Sequence, residues 1–167
     1  MLFETLFQFG LALSILLCAL VSGFVLLFAI VVMPGIGRLS DREFLKGFQV
    51  IDGIIQENQP IFILVWVGSA LVLLATAILS VWHLAGIGRI ILIGAAIVYL
   101  FGVQLPTIRI NIPLNNRVKT LAIDTLSADQ LRAERGNFED SWNRWNQIRT
   151  VIGILITAIL ILLLMYL

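Results

Sequence analysis

The placement of charged residues constrains the fold of this chain more than any other feature. Asp, Glu, Lys and Arg are absent from four stretches, which are residues 5–37, 58–88, 90–108 and 150–167. The shortest contains 18 residues, and about 18 mostly apolar residues are enough to cross the hydrocarbon core of a bilayer as a helix. The strands of a membrane β-barrel would instead alternate polar and apolar residues. The sequence therefore predicts an integral membrane protein and excludes a soluble globular enzyme.

These stretches predict an all-α fold with one membrane domain, residues 1–167. We place the spans at residues 6–33, 60–84, 90–108 and 148–167 and expect an antiparallel four-helix transmembrane bundle. Pro106 is expected to kink or end the third span, because proline lacks the N–H that a helix interior needs. Small residues recur every four positions in the first span and would allow close helix packing, including contact with a second chain. They are Gly10, Ser14, Cys18 and Ser22.

The first long connection is predicted to contain an amphipathic helix. Ser40 and Glu43 have the spacing of a capping box, and the apolar residues after them repeat with helical spacing. Such a helix lies on the membrane surface or packs against the bundle. Its acidic residues, Asp41, Glu43, Asp52 and Glu57, fit a solvated face.

The second long connection is predicted to be partly irregular and partly helical. The segment NIPLNNR, residues 111–117, is too rich in Asn and Pro for regular structure. A helix is expected to begin at the capping box of Ser127 and Gln130 and to break at Gly136 and Asn137. A new helix should then run unbroken into the fourth span. The two long connections together are expected to cap one face of the bundle.

Basic residues are concentrated on the side of the long connections. Arg89 stands alone on the other side, while the remaining ten of the 11 Lys and Arg residues fall on this one. The positive-inside rule therefore places the long connections in the cytoplasm and both termini outside, and we expect a bacterial inner membrane. The net charge of +1 and the absence of a basic run give no reason to expect nucleic acid. A single histidine and spans without acidic residues predict no metal site.

One helical stripe near the fourth span has two interpretations. Phe138, Trp142, Trp145 and Arg149 lie at i, i+4, i+7 and i+11, with Asn146 beside them. The stripe is typical of an interfacial aromatic belt in which the arginine reaches the headgroups. Alternatively it faces the bundle and lines a pocket for a flat aromatic ligand or an anionic oxygen. In that case we expect Arg149 to be buried, with its guanidinium hydrogen-bonded near residues 111–116.

A second polar cluster lies where the third span leaves the membrane, and it also has two interpretations. Asparagines around a proline are typical of turns, but their amides can also bind a ligand in a shared cavity. We predict that any ligand site lies under the cap, among Gln59, Gln104, Asn111, Asn115, Trp142, Asn146 and Arg149. Its apolar walls are expected to be Phe44, Phe48, Trp142 and Trp145. The opposite end, with His83 and Arg89, is expected to enclose nothing.

Four motifs occur in the order typical of one membrane-protein family. They are MPGIGRLSDREF (residues 33–44), IIQENQP (54–60), NIPLNNR (111–117) and W-x3-N-x2-R, formed by Trp142, Asn146 and Arg149. Over nearly its whole length the chain resembles the anthrone-oxygenase-like membrane proteins. The resemblance implies a four-helix membrane protein with site features at Asn111, Pro113, Asn115, Trp142 and Arg149. Fungal members oxidise anthrones to anthraquinones with no known cofactor, and most bacterial members have no assigned activity.

Two functions from different classes follow. One is a cofactor-independent oxygenase, or a related enzyme, that acts on a lipophilic aromatic such as a polyketide or quinone. The other is a non-catalytic membrane protein that binds a lipid or quinone or assembles with a partner. Oxidation of an anthrone requires a base with a pKa near the working pH. Fungal members often carry histidine at the position of Asn146, and no other ionisable base with a pKa near neutral takes its place in this sequence.

Overall fold

The computed structural model describes residues 2–57 and 59–167, and the regular structure of these residues is helical throughout. Five helices follow one another: α1 (Glu4–Ile36), α2 (Asp41–Gln56), α3 (Pro60–His83), α4 (Gly86–Lys119) and α5 (Ala128–Tyr166). All except α2 are long and apolar enough to cross a membrane. The predicted all-α fold with four membrane spans is therefore confirmed.

The four spans pack as a closed bundle in which each contacts two others. α1 and α4 each pack against both α3 and α5. The small residues of α1 face these neighbours, since Ser14 Oγ lies 3.2 Å from Thr76 Oγ1 of α3. A Cβ added to Gly153 of α5 would lie 2.6 Å from Ser22 Oγ. Contacts within one chain thus bury Ser14, Cys18 and Ser22 of the small-residue ridge, and contact of the ridge with a second chain stays a prediction.

Helix α4 is longer than predicted and passes through both of its prolines. The third span is expected to end or kink at Pro106, and the structure shows that it does not end there. Residues 111–117 are helical, so the expectation that they are irregular is wrong. The helix widens into π turns at Leu100–Gln104 and Thr107–Asn111, on either side of Pro106, and Pro113 follows in the first turn of the next α-helical segment. Local π adjustments re-satisfy the backbone groups that a proline frees, which is why membrane helices tolerate proline.

Helix α5 runs without a break from the cap into the membrane. The expected break at Gly136 and Asn137 is wrong, because the residues on either side are anchored. Arg135 donates hydrogen bonds to the carbonyl of Gly37 (2.8 Å) and to Glu139 (2.6 Å), and Phe138 is buried. A glycine within a helix costs only about 1 kcal/mol relative to alanine, which these contacts offset.

Helix α2 packs against the bundle and forms the cap together with the start of α5. The capping boxes at Ser40 and Ser127 are both present, as predicted. Phe44 and Phe48 are buried and contact the ring of Phe138, with ring centroids 6.1 and 4.5 Å away. Of the two positions predicted for the amphipathic helix, the structure therefore shows the one against the bundle.

Candidate functional site

A cavity of about 340 Å³ lies where the cap meets the membrane spans. This volume is at the lower end of the range of about 300–1,000 Å³ typical of small-molecule sites. All five helices contribute to its lining, which includes Phe24, Phe28, Phe48, Asp52, Gln56, Phe62, Ile63, Trp66, Thr107, Asn111, Ile112, Asn115, Trp142, Asn146 and Arg149.

The walls of the cavity are mainly aromatic. The Trp142 ring lies at one side, with its centroid 5.6 Å from the rings of Phe28 and Phe48. On the other side the Phe62 ring stacks on Trp66 at 5.4 Å and lies 5.3 Å from Phe24. Flat π surfaces on two sides suit a planar aromatic ligand, because aromatic rings favour offset stacking and edge contacts.

Arg149 projects from α5 and is only 3% exposed. Its Nη1 donates to Thr107 Oγ1 at 2.7 Å and its Nη2 donates to Asn146 Oδ1 at 2.9 Å, while its Nε–H has no acceptor. Asn146 in turn donates to the carbonyl of Val25 at 2.9 Å, which fixes the orientation of its amide. The predicted burial of Arg149 is confirmed, but its partners are Thr107 and Asn146 rather than groups near residues 111–116.

A chain of hydrogen bonds links the cap to α4 and α5 across the cavity. Trp142 Nε1 donates to Asn115 Oδ1 at 2.8 Å, and Asn115 Nδ2 donates to Asp52 Oδ1 at 2.7 Å. Gln56 donates to the other oxygen of Asp52. Asn111 donates to the carbonyl of Trp142 at 3.4 Å, and its own Oδ1 has no donor.

Asp52 is a cavity residue that the sequence pattern did not indicate. It was predicted to lie on a solvated face, yet it is only 4% exposed and lines the cavity. Burial raises the pKa of its carboxyl, although hydrogen bonds from Gln56 and Asn115 and the charge of Lys119 act in the opposite direction. The helical period carried the missing signal, because Asp52 lies one turn beyond Phe48 on the same buried stripe. An ionisable carboxyl therefore lies on the cavity, on a different helix from Asn146.

The structure brings together five of the seven predicted site residues. Asn111, Asn115, Trp142, Asn146 and Arg149 line the cavity. The other two, Gln59 and Gln104, do not line the cavity and form hydrogen bonds elsewhere.

Gln59 caps α3 by accepting a hydrogen bond from the Phe62 N–H at 2.8 Å. Gln104 donates to Ser69 Oγ at 3.2 Å inside the bundle. Of the predicted walls, Phe48 and Trp142 line the cavity, whereas Phe44 and Trp145 do not.

A second, larger hollow begins near the opposite end of the bundle, but neither His83 nor Arg89 lines it. A groove of about 810 Å³ lies between α4 and α5 and extends from Ile87 and Leu163 to Val98 and Ile152. Its lining side chains are apolar apart from Tyr166. These residues lie on membrane-spanning segments, and none of them carries a charge. Among the described residues, no group of three or more His, Cys, Asp or Glu side chains is placed to hold a metal ion.

The fold and the cavity define a four-span membrane protein with an aromatic-walled pocket under a helical cap. The family model of the anthrone oxygenases matches residues 57–159, and the chain belongs to this family. The matched region includes α3, α4 and the part of α5 that carries Trp142, Asn146 and Arg149. Comparisons with curated proteins and with solved structures gave no match.

Proposed function

We propose that this protein is a cofactor-independent oxygenase that acts on a lipophilic, fused-ring aromatic of the anthrone class. The observation that carries the proposal is the Nε–H of Arg149, a buried donor without an acceptor on the lining of an aromatic-walled cavity. A buried polar group without a partner costs about 1–3 kcal/mol, which supports an oxygen atom of a bound ligand as the missing partner. The free Oδ1 of Asn111 suits a hydroxyl group of the same ligand.

The chemistry of an anthrone matches these groups. Its central ring carries a carbonyl and, opposite it, a CH₂ group whose proton loss places negative charge on the carbonyl oxygen. A charge-assisted hydrogen bond from Arg149 would stabilise that oxygen. The enolate then transfers an electron to molecular oxygen, the two radicals combine to a carbon-bound peroxide, and loss of water leaves a second carbonyl. One anthrone and one O₂ thus give one anthraquinone and one water, so the balance requires no cofactor.

Access from the bilayer supports a lipophilic substrate. Ile63 and Ile112 line the cavity and are also exposed, at 41% and 44%. A molecule dissolved in the membrane would therefore reach the cavity between α3 and α4 without crossing the cap. Membership of the anthrone oxygenase family supports the same substrate class.

The test is turnover of 1,8-dihydroxyanthrone by the protein in lipid nanodiscs, followed by oxygen uptake and by the absorbance of the anthraquinone. We expect a rate well above that of empty nanodiscs. Arg149→Met should lose at least about tenfold, the equivalent of one hydrogen bond to a charged group. Arg144→Met is the matched control, because Arg144 is exposed on the same helix, and it should behave as wild type. Tight binding of 1,8-dihydroxyanthraquinone without any turnover would instead favour the non-catalytic quinone or lipid binder.

We also propose that the cap faces the cytoplasm of a bacterial inner membrane. The excess of Lys and Arg on that side supports this orientation. Ala133 lies on the cap side and Ala85 in the short turn at the other end, and both are exposed. A membrane-impermeant maleimide applied to intact cells should label Ala85→Cys and leave Ala133→Cys unlabelled. The native Cys18 is fully buried, so the wild-type chain serves as the background. The reverse pattern would overturn the orientation.

A further inference from the structure

A buried carboxyl and a buried guanidinium share the cavity without pairing. Asp52 and Arg149 both line it and are 4% and 3% exposed. Asp52 binds Asn115 and Gln56, whereas Arg149 binds Thr107 and Asn146. No ion pair joins the two among the residues that the structure describes.

Opposite charges attract one another more strongly in low-dielectric surroundings than in water. Because Asp52 and Arg149 are not in contact, the fold lacks the stabilisation that an ion pair between them would supply. Trp142 lies between the two groups: its indole N–H leads through Asn115 to Asp52, and its ring lies 5.9 Å from the Arg149 guanidinium carbon. The two charged groups are thus linked to one aromatic wall at different points, Asp52 at the indole N–H edge and Arg149 at the ring. A planar molecule stacked against that wall would reach both.

We propose that Asp52 is the general base that removes the proton from the substrate's ring carbon while Arg149 holds the oxygen at the opposite end of the ring. The proposal rests on the proposed function, because an anthrone loses its proton and gains its charge at opposite positions of one ring. Asn115 and Gln56 each donate to one oxygen of Asp52. A carboxylate has about four acceptor positions, so two remain to accept the substrate's proton.

The surroundings of Asp52 suit this role. Burial raises the pKa of its carboxyl toward the range useful for a general base at neutral pH. The charge that acts on it is that of Lys119 at the end of α4. Arg149 of α5 lines the same cavity, whereas α1 and α3 bring only uncharged residues to it.

With Asp52 as the base, the proposed reaction balances in protons and electrons. Its carboxylate takes the first C–H proton, and the enolate reduces O₂ and binds it as a peroxide anion. Protonated Asp52 returns that proton to the peroxide, which becomes a hydroperoxide. Asp52 then takes the second C–H proton as the O–O bond breaks and hydroxide leaves, and it passes this proton to the hydroxide to form water. The carboxylate is regenerated, and O₂ is the only oxidant.

The test compares Asp52→Asn with a variant that restores the local hydrogen bond. Asparagine has one amide oxygen for two donors, so Asp52→Asn loses one contact. In the double variant Asp52→Asn with Gln56→Glu, the asparagine donates to the new glutamate, and the carboxylate moves one helical turn away. Asp140→Asn, on an exposed residue of the cap, is the matched control. Turnover is measured with 1,8-dihydroxyanthrone, and binding is measured separately with 1,8-dihydroxyanthraquinone.

We expect Asp52→Asn and the double variant to lose about 10²-fold or more in turnover, the usual contribution of a general base, while anthraquinone affinity changes less than about threefold. The wild-type rate should rise with pH through one ionisation that both variants lack. Asp140→Asn should match wild type. If Asp52→Asn keeps the turnover and the pH profile of the wild type, this proposal is overturned. The proposed function is then unaffected. Loss of anthraquinone binding in both variants overturns it too, because Asp52 would then be structural. A wild-type rate equal to that of empty nanodiscs overturns both proposals.

Discussion

The replacement of Arg149 by methionine distinguishes two possible roles of this arginine, which are ligand binding and stabilisation of the bundle. Arginine keeps its charge in proteins and offers five N–H donors, of which Nη1 and Nη2 find the side chains of Thr107 and Asn146. Neither partner is charged. The guanidinium is therefore a buried cation held by two hydrogen bonds, with its Nε–H left over.

The favourable and unfavourable contributions of the Arg149 guanidinium to the stability of the fold nearly cancel. Hydrogen bonds to a charged group contribute about 1.5–3 kcal/mol each, so the two together stabilise by about 3–6 kcal/mol. Removal of the ion from water costs several kcal/mol even after relaxation. Methionine of similar length adds apolar packing and leaves one acceptor, Asn146 Oδ1, without a donor, at about 1 kcal/mol. Thr107 keeps its own hydrogen bond to the Val103 carbonyl. We therefore expect Arg149→Met to leave the free energy of unfolding unchanged or to raise it by about 1–2 kcal/mol.

The assay is reversible unfolding in mixed micelles with increasing sodium dodecyl sulfate, followed by tryptophan fluorescence, with Arg144→Met as the exposed control. The same preparations are titrated with 1,8-dihydroxyanthraquinone. Unchanged or increased stability together with at least tenfold weaker binding is the expected result. A loss of more than about 3 kcal/mol, well above the cost of about 1 kcal/mol for the one acceptor left without a donor, would refute the reasoning and make Arg149 a structural residue.

Three further predictions test the packing and the site. Gly153→Ala should lower the free energy of unfolding by about 1–3 kcal/mol through overpacking, and Ser22→Ala should restore most of it, because the next atom, Ser22 Cβ, lies at an ordinary 3.5 Å. Gln59→Ala should cost about 1 kcal/mol as a lost helix cap and leave anthraquinone affinity unchanged; weaker binding would return Gln59 to the site. Because burial raises the pKa of the Asp52 carboxyl, the folded chain holds that proton to higher pH than the unfolded chain. The contribution of Asp52 to stability is then full below the ordinary pKa of Asp and falls as the pH rises through the raised value. Asp52→Asn should remove that decline in unfolding scans across pH.

The membrane fold could be predicted from the amino-acid sequence alone. Four uncharged stretches are long enough to span a bilayer, and no soluble fold explains them. The capping boxes at Ser40 and Ser127 were equally readable, because a cap depends on residues only three apart. The sequence also predicted that Trp142, Asn146 and Arg149 share one face of a helix, since helical spacing fixes which side chains lie on the same face.

The sequence did not determine which way that stripe faced or what completed the site. Both readings of the tryptophan stripe satisfied the helical period, and packing against α2 and α4 decided between them. Local rules likewise predicted an end or a kink at Pro106 and a break at Gly136, but π turns and the anchoring of neighbouring residues kept both helices continuous. Asp52 reached the cavity because α2 lies against the bundle rather than on the membrane surface. Propensity and periodicity act over a few residues, whereas burial of a carboxyl or a guanidinium depends on which helices meet, and only the tertiary structure supplies that.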